Sequence, residues 1–436
     1  MKFYNRTKEL KKLHQIEELS KESSKMSIII GRRRIGKTSL VQYAYDKKIY
    51  LFVSKKNEAL LCDEFIQIVS DTLNIKILGT FKKFALLFEY LMELSLTHHF
   101  TLIIDEFQEF IYINNTIYSD MQNLWDEYKD KTKMNLVLSG SIYSLMKKIF
   151  EDKKEPLFNR VDSKIHLKPF SVETLEEILK DNYQNYTNED LLSFYTITGG
   201  VAKYVELFVT FKAFTLENQL DLIFQENSLF LEEGKNLLIE EFGKEYTTYF
   251  SILSLISSGK TARVEMQDIL EKDIGGYLDR LENEYSIIKK VKPIFSKEGG
   301  RILKYEIIDN FFSFWFRFVY KYKSAIEIEN YEYVKEIVKR DYQTYSGKFL
   351  EKYFIEKLKL SNQFSAIGTY WEKGNKNEID IVAVNEENKT MLIAEVKINP
   401  KKISIEKLKA KAQKIIQKYP KYEVEFVGYS IKNIND

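Results

Sequence analysis

At 436 residues the chain is too long for one hydrophobic core and implies two or three domains, each burying an apolar face of its own. Hydrophobic residues make up 44% and charged residues 30%, which excludes a disordered chain, and aromatics are high at 14%. The formal net charge of +2 excludes a polycation, so attraction to nucleic acid has to come from local patches.

The first ten residues are charged and lack the apolar centre of a signal peptide. An amphipathic helix follows, with Leu10, Leu13, Ile16 and Leu19 at helical spacing. Met26–Ile30 is a short apolar strand running into Gly31-Arg32-Arg33-Arg34-Ile35-Gly36-Lys37-Thr38-Ser39, the pattern G-x-x-x-x-G-K-[ST] in the strand–loop–helix setting it requires. The two glycines let successive backbone N–H groups curl around phosphate oxygens, and the next helix aims its positive dipole end at them. Lys37 is placed to reach the β- and γ-phosphates and Thr38 to hold Mg2+. A nucleoside triphosphate, with Mg2+, is the expected cofactor.

Ile49–Ser54 reads as a second strand, followed by helices over about Glu58–Leu73 and Phe81–Leu96. Cys62, the one cysteine, excludes an internal disulfide and sits beside Leu60 and Leu61 as a small buried hydrophobe. A third strand, Phe100–Ile104, ends in Asp105-Glu106. Ligands of open parallel sheets bind at the C-terminal strand ends, so Asp105 is expected to steady Mg2+ and Glu106 to polarise the attacking water. The added strand between loop and acidic pair favours ATPases with a catalytic glutamate over simple kinases. Asn135–Leu138, a fourth strand, runs into Ser139-Gly140-Ser141, hydroxyls suited to sensing a γ-phosphate or to making a tight turn. Arg160 precedes a fifth strand, Lys164–Leu167, and is a candidate arginine finger or a surface charge. Supplied in trans, it would require a homo-oligomer.

Phe-x-x-Arg-x-x-Glu-Leu at Phe3–Leu10, the glycine-rich loop, Ile-Ile-Asp-Glu-Phe-Gln, Ser-Gly-Ser, Leu-Phe-Asn-Arg and Thr-Gly-Gly-Val-Ala-Lys-Tyr at Thr198–Tyr204 together resemble the archaeal-type ATPase family. That family is a branch of the AAA-like P-loop ATPases also found in bacteria, and the resemblance covers roughly residues 1–235. It implies a P-loop ATPase core over residues 1–170 and a helical lid over 171–240, with ATP as cofactor. It also puts Arg6 at the nucleotide, together with Gly31–Ser39 and Ser141, and carries the finger role to Arg160. Asn159 departs from the Gly that usually precedes that arginine, and Val201-Ala202 from a common proline.

Beyond Gly234 the pattern changes. Helices over Tyr249–Ile256, Val264–Leu270 and Ile274–Tyr285 lead to strands Ile287–Val291 and Ile302–Ile308 around Gly299-Gly300, a winged-helix-like order over residues 241–310. The third helix carries Asp279, Glu282 and Glu284 against Arg280 alone, poor chemistry for a phosphate-lined groove. The ribbon suits DNA better, with Lys289, Lys290, Lys292, Lys297, Arg301 and Lys304, and a protein-docking role stands beside that reading. Phe311–Phe318 is too aromatic for a one-sided helix and reads as buried between domains, opening connecting helices over 311–345. No apolar run reaches the roughly 18–20 residues of a membrane span, and Arg317 interrupts the most aromatic stretch, so a cytoplasmic protein without a membrane partner is expected. Asp-x-Phe-x-x-Phe-Trp-x-Arg-Phe from Asp309 is similar to the start of the C-terminal domain that accompanies the family's ATPase.

Within residues 346–436, a helix over Phe349–Leu358 carries Glu351, Glu378–Val384 is a strand, and Thr390–Lys397 returns with Glu395 and Lys397. Alternation puts Glu378 and Asp380 on one face of the first strand and Glu395 and Lys397 on one face of the second. Carboxylates in apolar strands are costly unless they bind a cation, so Asp380 and Glu395 are candidate Mg2+ ligands and Lys397 a candidate to orient or deprotonate water. The spacing resembles the restriction-endonuclease-like nucleases, with Glu351 at their helical acid; a hairpin with edge charges is the plain alternative. Lys407, Lys411, Lys414 and Lys418 form a helical stripe that suggests a phosphate track. The expected fold class is α/β: a P-loop NTPase sheet with helical lid, a winged-helix-like middle and a C-terminal α/β restriction-endonuclease-like domain. The expected function is ATP hydrolysis coupled to DNA binding or cleavage. The alternative is an ATP-driven signalling or assembly switch with a protein partner at a non-cleaving C-terminal module.

Overall fold

The computed structural model describes residues 2–297, 299–300 and 302–434. Strands buried on both faces need continuous apolar runs, and five such runs form a parallel sheet. They are β1 (Lys25–Ile30), β2 (Ile49–Phe52), β3 (Phe100–Asp105), β4 (Met134–Gly140) and β5 (Ser163–His166), in the order β2-β3-β4-β1-β5. β1 pairs with β4 and β5, and β4 with β3, so the turns leaving β1, β3 and β4 open on one edge. Helices Glu58–Leu73, Phe84–Leu94 and Ile117–Tyr128 pack in one cluster with Met26, Ile28 and Ile30. Cys62 is fully buried in that cluster, as its neighbours implied, and burial pushes its thiol up to about 12. These elements make one compact unit, Tyr4–Pro169.

The second unit begins at Phe170. It opens with five helices, Val172–Asn182, Asn188–Thr198, Ala202–Thr210, Leu216–Ile223 and Leu229–Phe242. Helices Tyr246–Ser257, Arg263–Leu270 and Gly275–Asp279 follow, the last continuing as a π-helical turn over Arg280–Glu284. β6 (Ile288–Val291) and β7 (Lys304–Ile307) then form an antiparallel ribbon. Arg301 of the ribbon's basic set lies outside the described residues. Phe311, Phe314, Trp315, Phe316 and Phe318 are all buried, and Trp315 Nε1 donates to Leu231 O at 3.0 Å.

A single helix, Tyr331–Leu360, runs unbroken through the boundary expected at 345/346. A four-stranded mixed sheet follows: β8 (Ala366–Glu372), β9 (Lys376–Asn385), β10 (Thr390–Lys397) and β11 (Glu423–Ser430), in the order β11-β10-β9-β8. β10 is antiparallel to β9 and parallel to β11, the crossover being the helix Ile405–Lys418. Leu408, Ala412 and Ile415 of that helix pack on Val382, Val384, Met391 and Ile393, and Ile294 and Phe295 from the ribbon loop join them. No helix among the described residues is long and apolar enough to cross a membrane.

The motif at Thr198–Tyr204 has a backbone reason for its glycines. Gly199 and Gly200 have φ of 56° and 75°, and a Cβ on Gly200 would run into the backbone of Phe170, whose N–H donates to Gly200 O at 2.8 Å. Gly259, at φ 95°, has open space where its Cβ would stand. Gly200→Ala is therefore predicted to lose about 1–3 kcal/mol more than Gly259→Ala, since both meet left-handed strain and only the first adds a clash. Thermal unfolding of the two variants measures the difference; equal melting temperatures would contradict it.

Candidate nucleotide site and a second carboxylate–lysine cluster

Between β1 and the helix Lys37–Ala44 the loop takes positive φ at Arg34 (70°) and Gly36 (95°), the alternation that turns backbone N–H groups inward as an anion nest. Gly31 is in close quarters: a Cβ there would stand 3.1 Å from Ile35 Cγ2 and from Leu167 O. The Lys37 ammonium is buried inside the loop, donating to Gly31 O at 2.7 Å and Arg32 O at 3.0 Å. Thr38 Oγ1 donates to Asp105 Oδ2 at 2.9 Å, joining the loop helix to the end of β3. Tyr50 of β2 donates to the same oxygen at 2.6 Å, and the Glu106 amide donates to Oδ1 at 3.0 Å. Glu106 turns sharply off the strand in the left-handed region, at φ 54°, which a non-glycine residue holds only at a cost in strain. Its Oε2 accepts from Ser141 Oγ at 2.6 Å and from Gln108 Nε2 at 2.5 Å. Arg33 Nε donates to Ser141 Oγ at 3.3 Å. Loop, acidic pair and the turn after β4 thus form one hydrogen-bonded constellation at the sheet edge.

Arg6 lies behind the loop, buried, donating to Lys168 O at 2.8 Å and Ile35 O at 3.3 Å. Burial lowers its pKa, against the pull of the Glu9 carboxylate 3.8 Å from Nη1. Its place is a prop for the loop backbone.

The second cluster stands where β9 and β10 part. Their last backbone pair is Ala394–Ile381; beyond it the Val396 amide turns to Asp380 Oδ2 at 2.7 Å, and Lys397 Nζ donates to the same oxygen at 2.8 Å. The helix Tyr331–Leu360 brings Glu351 close enough to feel both charges. Burial first, and the Asp380 carboxylate second, push the Glu351 pKa up to about 8. Glu395 Oε2 accepts from Ser404 N at 2.9 Å and Oε1 from Lys411 Nζ at 3.4 Å. Glu378 keeps the face of Asp380, with Ile379 and Ile381 buried on the other, and Glu351 feels its charge, but its carboxylate is taken by Lys304 of β7 at 2.8 Å. The lysine stripe is largely used internally as well, with Lys411 on Glu395, Lys414 on Glu372 at 2.5 Å and Lys418 facing the Phe295 ring at 5.9 Å. Among the described residues no group of three or more His, Cys, Asp or Glu side chains is gathered to hold a metal ion.

Residues 3–208 match the family model described as an ATPase domain predominantly from Archaea, and 315–416 match one for archaeal and bacterial proteins of unknown function. Residues 3–208 are an archaeal-type ATPase domain. An uncharacterized protein of Methanocaldococcus jannaschii is 28% identical over 414 residues, 91% of this chain and 87% of the relative. The Walker-type ATPase of Pyrococcus abyssi superposes at TM-score 0.55 with 16% identity, covering 72% of this chain and 96% of its own, and shares the fold. As an ATPase domain, the first part of the chain binds and hydrolyses ATP.

Within the ATPase domain, sequence reasoning gave no role to Tyr50 or Gln108. Gln108 is fully buried two residues past Glu106, and its amide also reaches Glu109 Oε1 at 3.4 Å. Arg160 is engaged elsewhere: Nε and Nη2 grip Asp126 at 3.0 and 2.7 Å, and Nη1 donates to Pro156 O at 2.7 Å. A finger role would have to break this fork. Arg160→Ala and Asp126→Ala are predicted to lower stability without adding, with a coupling of about 1 kcal/mol for a partly exposed bidentate pair. Denaturation of the two variants and the double variant measures it. A loss of turnover in Arg160→Ala that Asp126→Ala does not share would restore the finger.

Proposed function

We propose that the chain is a Mg2+-dependent ATPase whose turnover is coupled to a C-terminal module acting on DNA. The hydrogen bond between Thr38 and Asp105, with Glu106 beside it, carries the ATPase half. A hydroxyl and a carboxylate are the hard oxygen donors Mg2+ accepts alongside nucleotide phosphates, so the residues fit the ion. Bound there, Mg2+ would neutralise charge on the transferred phosphoryl group. On binding ATP, Lys37 exchanges the carbonyls of Gly31 and Arg32 for phosphate oxygens. Glu106, held at Oε2 by Ser141 and Gln108, keeps Oε1 for the attacking water. Ser141 also touches Arg33, so a γ-phosphate that draws Arg33 changes the grip on Glu106.

Lys37→Ala is predicted to weaken ATP binding at least tenfold, about 1.4 kcal/mol, and Glu106→Gln to leave binding intact while lowering turnover by at least about 100-fold. Nucleotide titration and phosphate release test both. Undiminished turnover in Glu106→Gln would remove it from the mechanism.

The pairing of Asp380 with Lys397, beside a Glu351 that favours its proton, supports a phosphodiesterase reading. Two protein acids, Asp380 and Glu395, are enough for Mg2+ when substrate phosphate completes the shell. The helices and ribbon over residues 246–307 support a winged-helix-like module next to it. Asp380→Ala and Lys397→Ala should each abolish Mg2+-dependent cleavage, the double variant being no worse than either. Gel-resolved cleavage of duplex, single-stranded and branched DNA reads this out. The second reading is a non-cleaving docking module within an ATP-driven switch, favoured by the engagement of Glu378 with Lys304 and of Glu395 with Ser404 and Lys411. Absence of cleavage on every substrate, with DNA binding unchanged in Asp380→Ala, selects it.

A further inference from the structure

The helix Tyr331–Leu360 presents Lys348 and Lys352, one turn apart, to a cavity of about 940 Å³. β6, β7, the aromatic segment at Ser313 and Arg317, and β8 at Ile367–Thr369 supply the other walls. Glu351, which feels Asp380 and Lys397, belongs to the same wall. Several cations around the cavity are already paired, Lys289 with Glu306 at 3.3 Å, Lys290 with Glu282 at 2.5 Å and Arg317 with Asp341 at 3.4 Å. Lys348 and Lys352 are not. Lys348 Nζ donates to Ser313 Oγ at 3.0 Å and Lys352 Nζ to Ile307 O at 3.3 Å, both neutral acceptors. Among the described residues neither ammonium has an ion-pair partner. Lys348 is exposed and Lys352 half-buried; their ammoniums rest on these neutral oxygens and on the rings of Tyr345 and Phe349, which leaves both able to take an anion as an ion-pair partner.

The dimensions and position of the cavity define that anion. Its volume is that of a site for one small ligand, which admits a few linked nucleotides and excludes a duplex. Its wall includes Glu351, which feels the charges of Asp380 and Lys397, so a strand lying in it would come near that pair. We propose that this cavity seats a phosphodiester of a single nucleic-acid strand between Lys348 and Lys352, making a single strand or single-stranded end the module's substrate. The proposal rests on the reading of the Asp380–Lys397 cluster as a site that acts on nucleic acid.

A titration signature follows. Burial, and then the neighbouring Lys352, lower Lys348 to about 7; burial also lowers Lys352 to about 8. The charged groups facing them are Glu306, Asp309 and Glu351, which favour the ammonium, and Lys289 and Arg317, which oppose it. A bound phosphate raises both values, so binding takes up protons and weakens as pH rises from about 7 to 9. Lysines of ordinary pKa would titrate only above that window.

The test is fluorescence anisotropy of a labelled single-stranded oligonucleotide and a hairpin duplex with the full chain in EDTA, where cleavage is suppressed. The double variant Lys348→Ala/Lys352→Ala is expected to lose at least about tenfold in single-strand affinity. Its log K against log salt slope should become shallower by roughly 1.4, two contacts at about 0.7 each, with duplex affinity unchanged. Lys348→Arg/Lys352→Arg should retain binding and lose the pH dependence. Thermal melting checks that the alanine variant is folded, and the arginine variant keeps the test decisive where it is not. Unchanged single-strand affinity in the alanine variant, or an equal loss for duplex, overturns the proposal. Displacement of the strand by inorganic phosphate at matched ionic strength also overturns it, by making a free phosphate the occupant. Cleavage that depends on Asp380 while the lysine variant binds normally sinks the cavity alone. Lysine-dependent strand binding without cleavage of any substrate keeps the cavity and removes the nuclease reading.

Discussion

A carboxylate only 2% exposed at the end of a central strand needs its charge met by donors, and at Asp105 three elements supply them. The Thr38 hydroxyl arrives from the loop helix, the Tyr50 hydroxyl from β2, and the Glu106 amide from the turn that β3 itself makes. The Glu106 amide is local, but the Tyr50 hydroxyl arrives only when β2 has paired with β3 and the Thr38 hydroxyl only when β1 has joined through β4, so two of the three donors depend on the assembled sheet. Loss of a single donor would leave a buried charge short of a partner, which costs about 1–3 kcal/mol or more. The strained turn at Glu106 is held by its amide bond to Asp105 and by separate bonds from Ser141 and Gln108 to its own carboxylate.

The part of this site that is written locally was legible in the sequence. A strand, a complete glycine-rich loop and a helix leave one arrangement open to Lys37 and Thr38, and an acid pair after an apolar run falls on the same edge by the rules of parallel sheets. Tyr50 and Gln108 were not legible. The first depends on the β2–β3 register, which sets Tyr50 against Ile103, and the second on a left-handed turn that no local pattern demands of a glutamate. Arg160 is the reverse case: its neighbours advertise a free cation, while the residue that holds it, Asp126, stands on a helix earlier in the chain.

In the second unit the sequence overstated how much positive charge faces outward. Lys289, Lys290 and Lys304 of the ribbon, and Lys411 and Lys414 of the last helix, find acids on other elements. Such pairs are set by tertiary contact, and counting lysines along a helix face cannot reveal them. β8 and β11 escaped the pattern reading for a related reason. Both are edge strands with half-exposed residues, and β8 is further disturbed by its register shifts, so neither shows the clean alternation of β9 and β10. The ribbon is also less independent than a wing read from sequence, since Ile294 N–H donates to Thr369 O of β8 at 2.7 Å.

The helix Tyr331–Leu360 has 30 residues and therefore extends for about 45 Å. Near its start Lys335 and Lys339 grip Asp221 and Glu217, each at 2.8 Å, and near its end Glu356 accepts the Val172 amide at 3.0 Å while Lys357 donates to Ile434 O at 2.6 Å. Glu351 lies between these anchors on the same rigid rod. A rod cannot tilt at one end and stay still along its length, so a shift of the helices that bear Asp221 or Val172 is delivered to Glu351 as a displacement rather than absorbed.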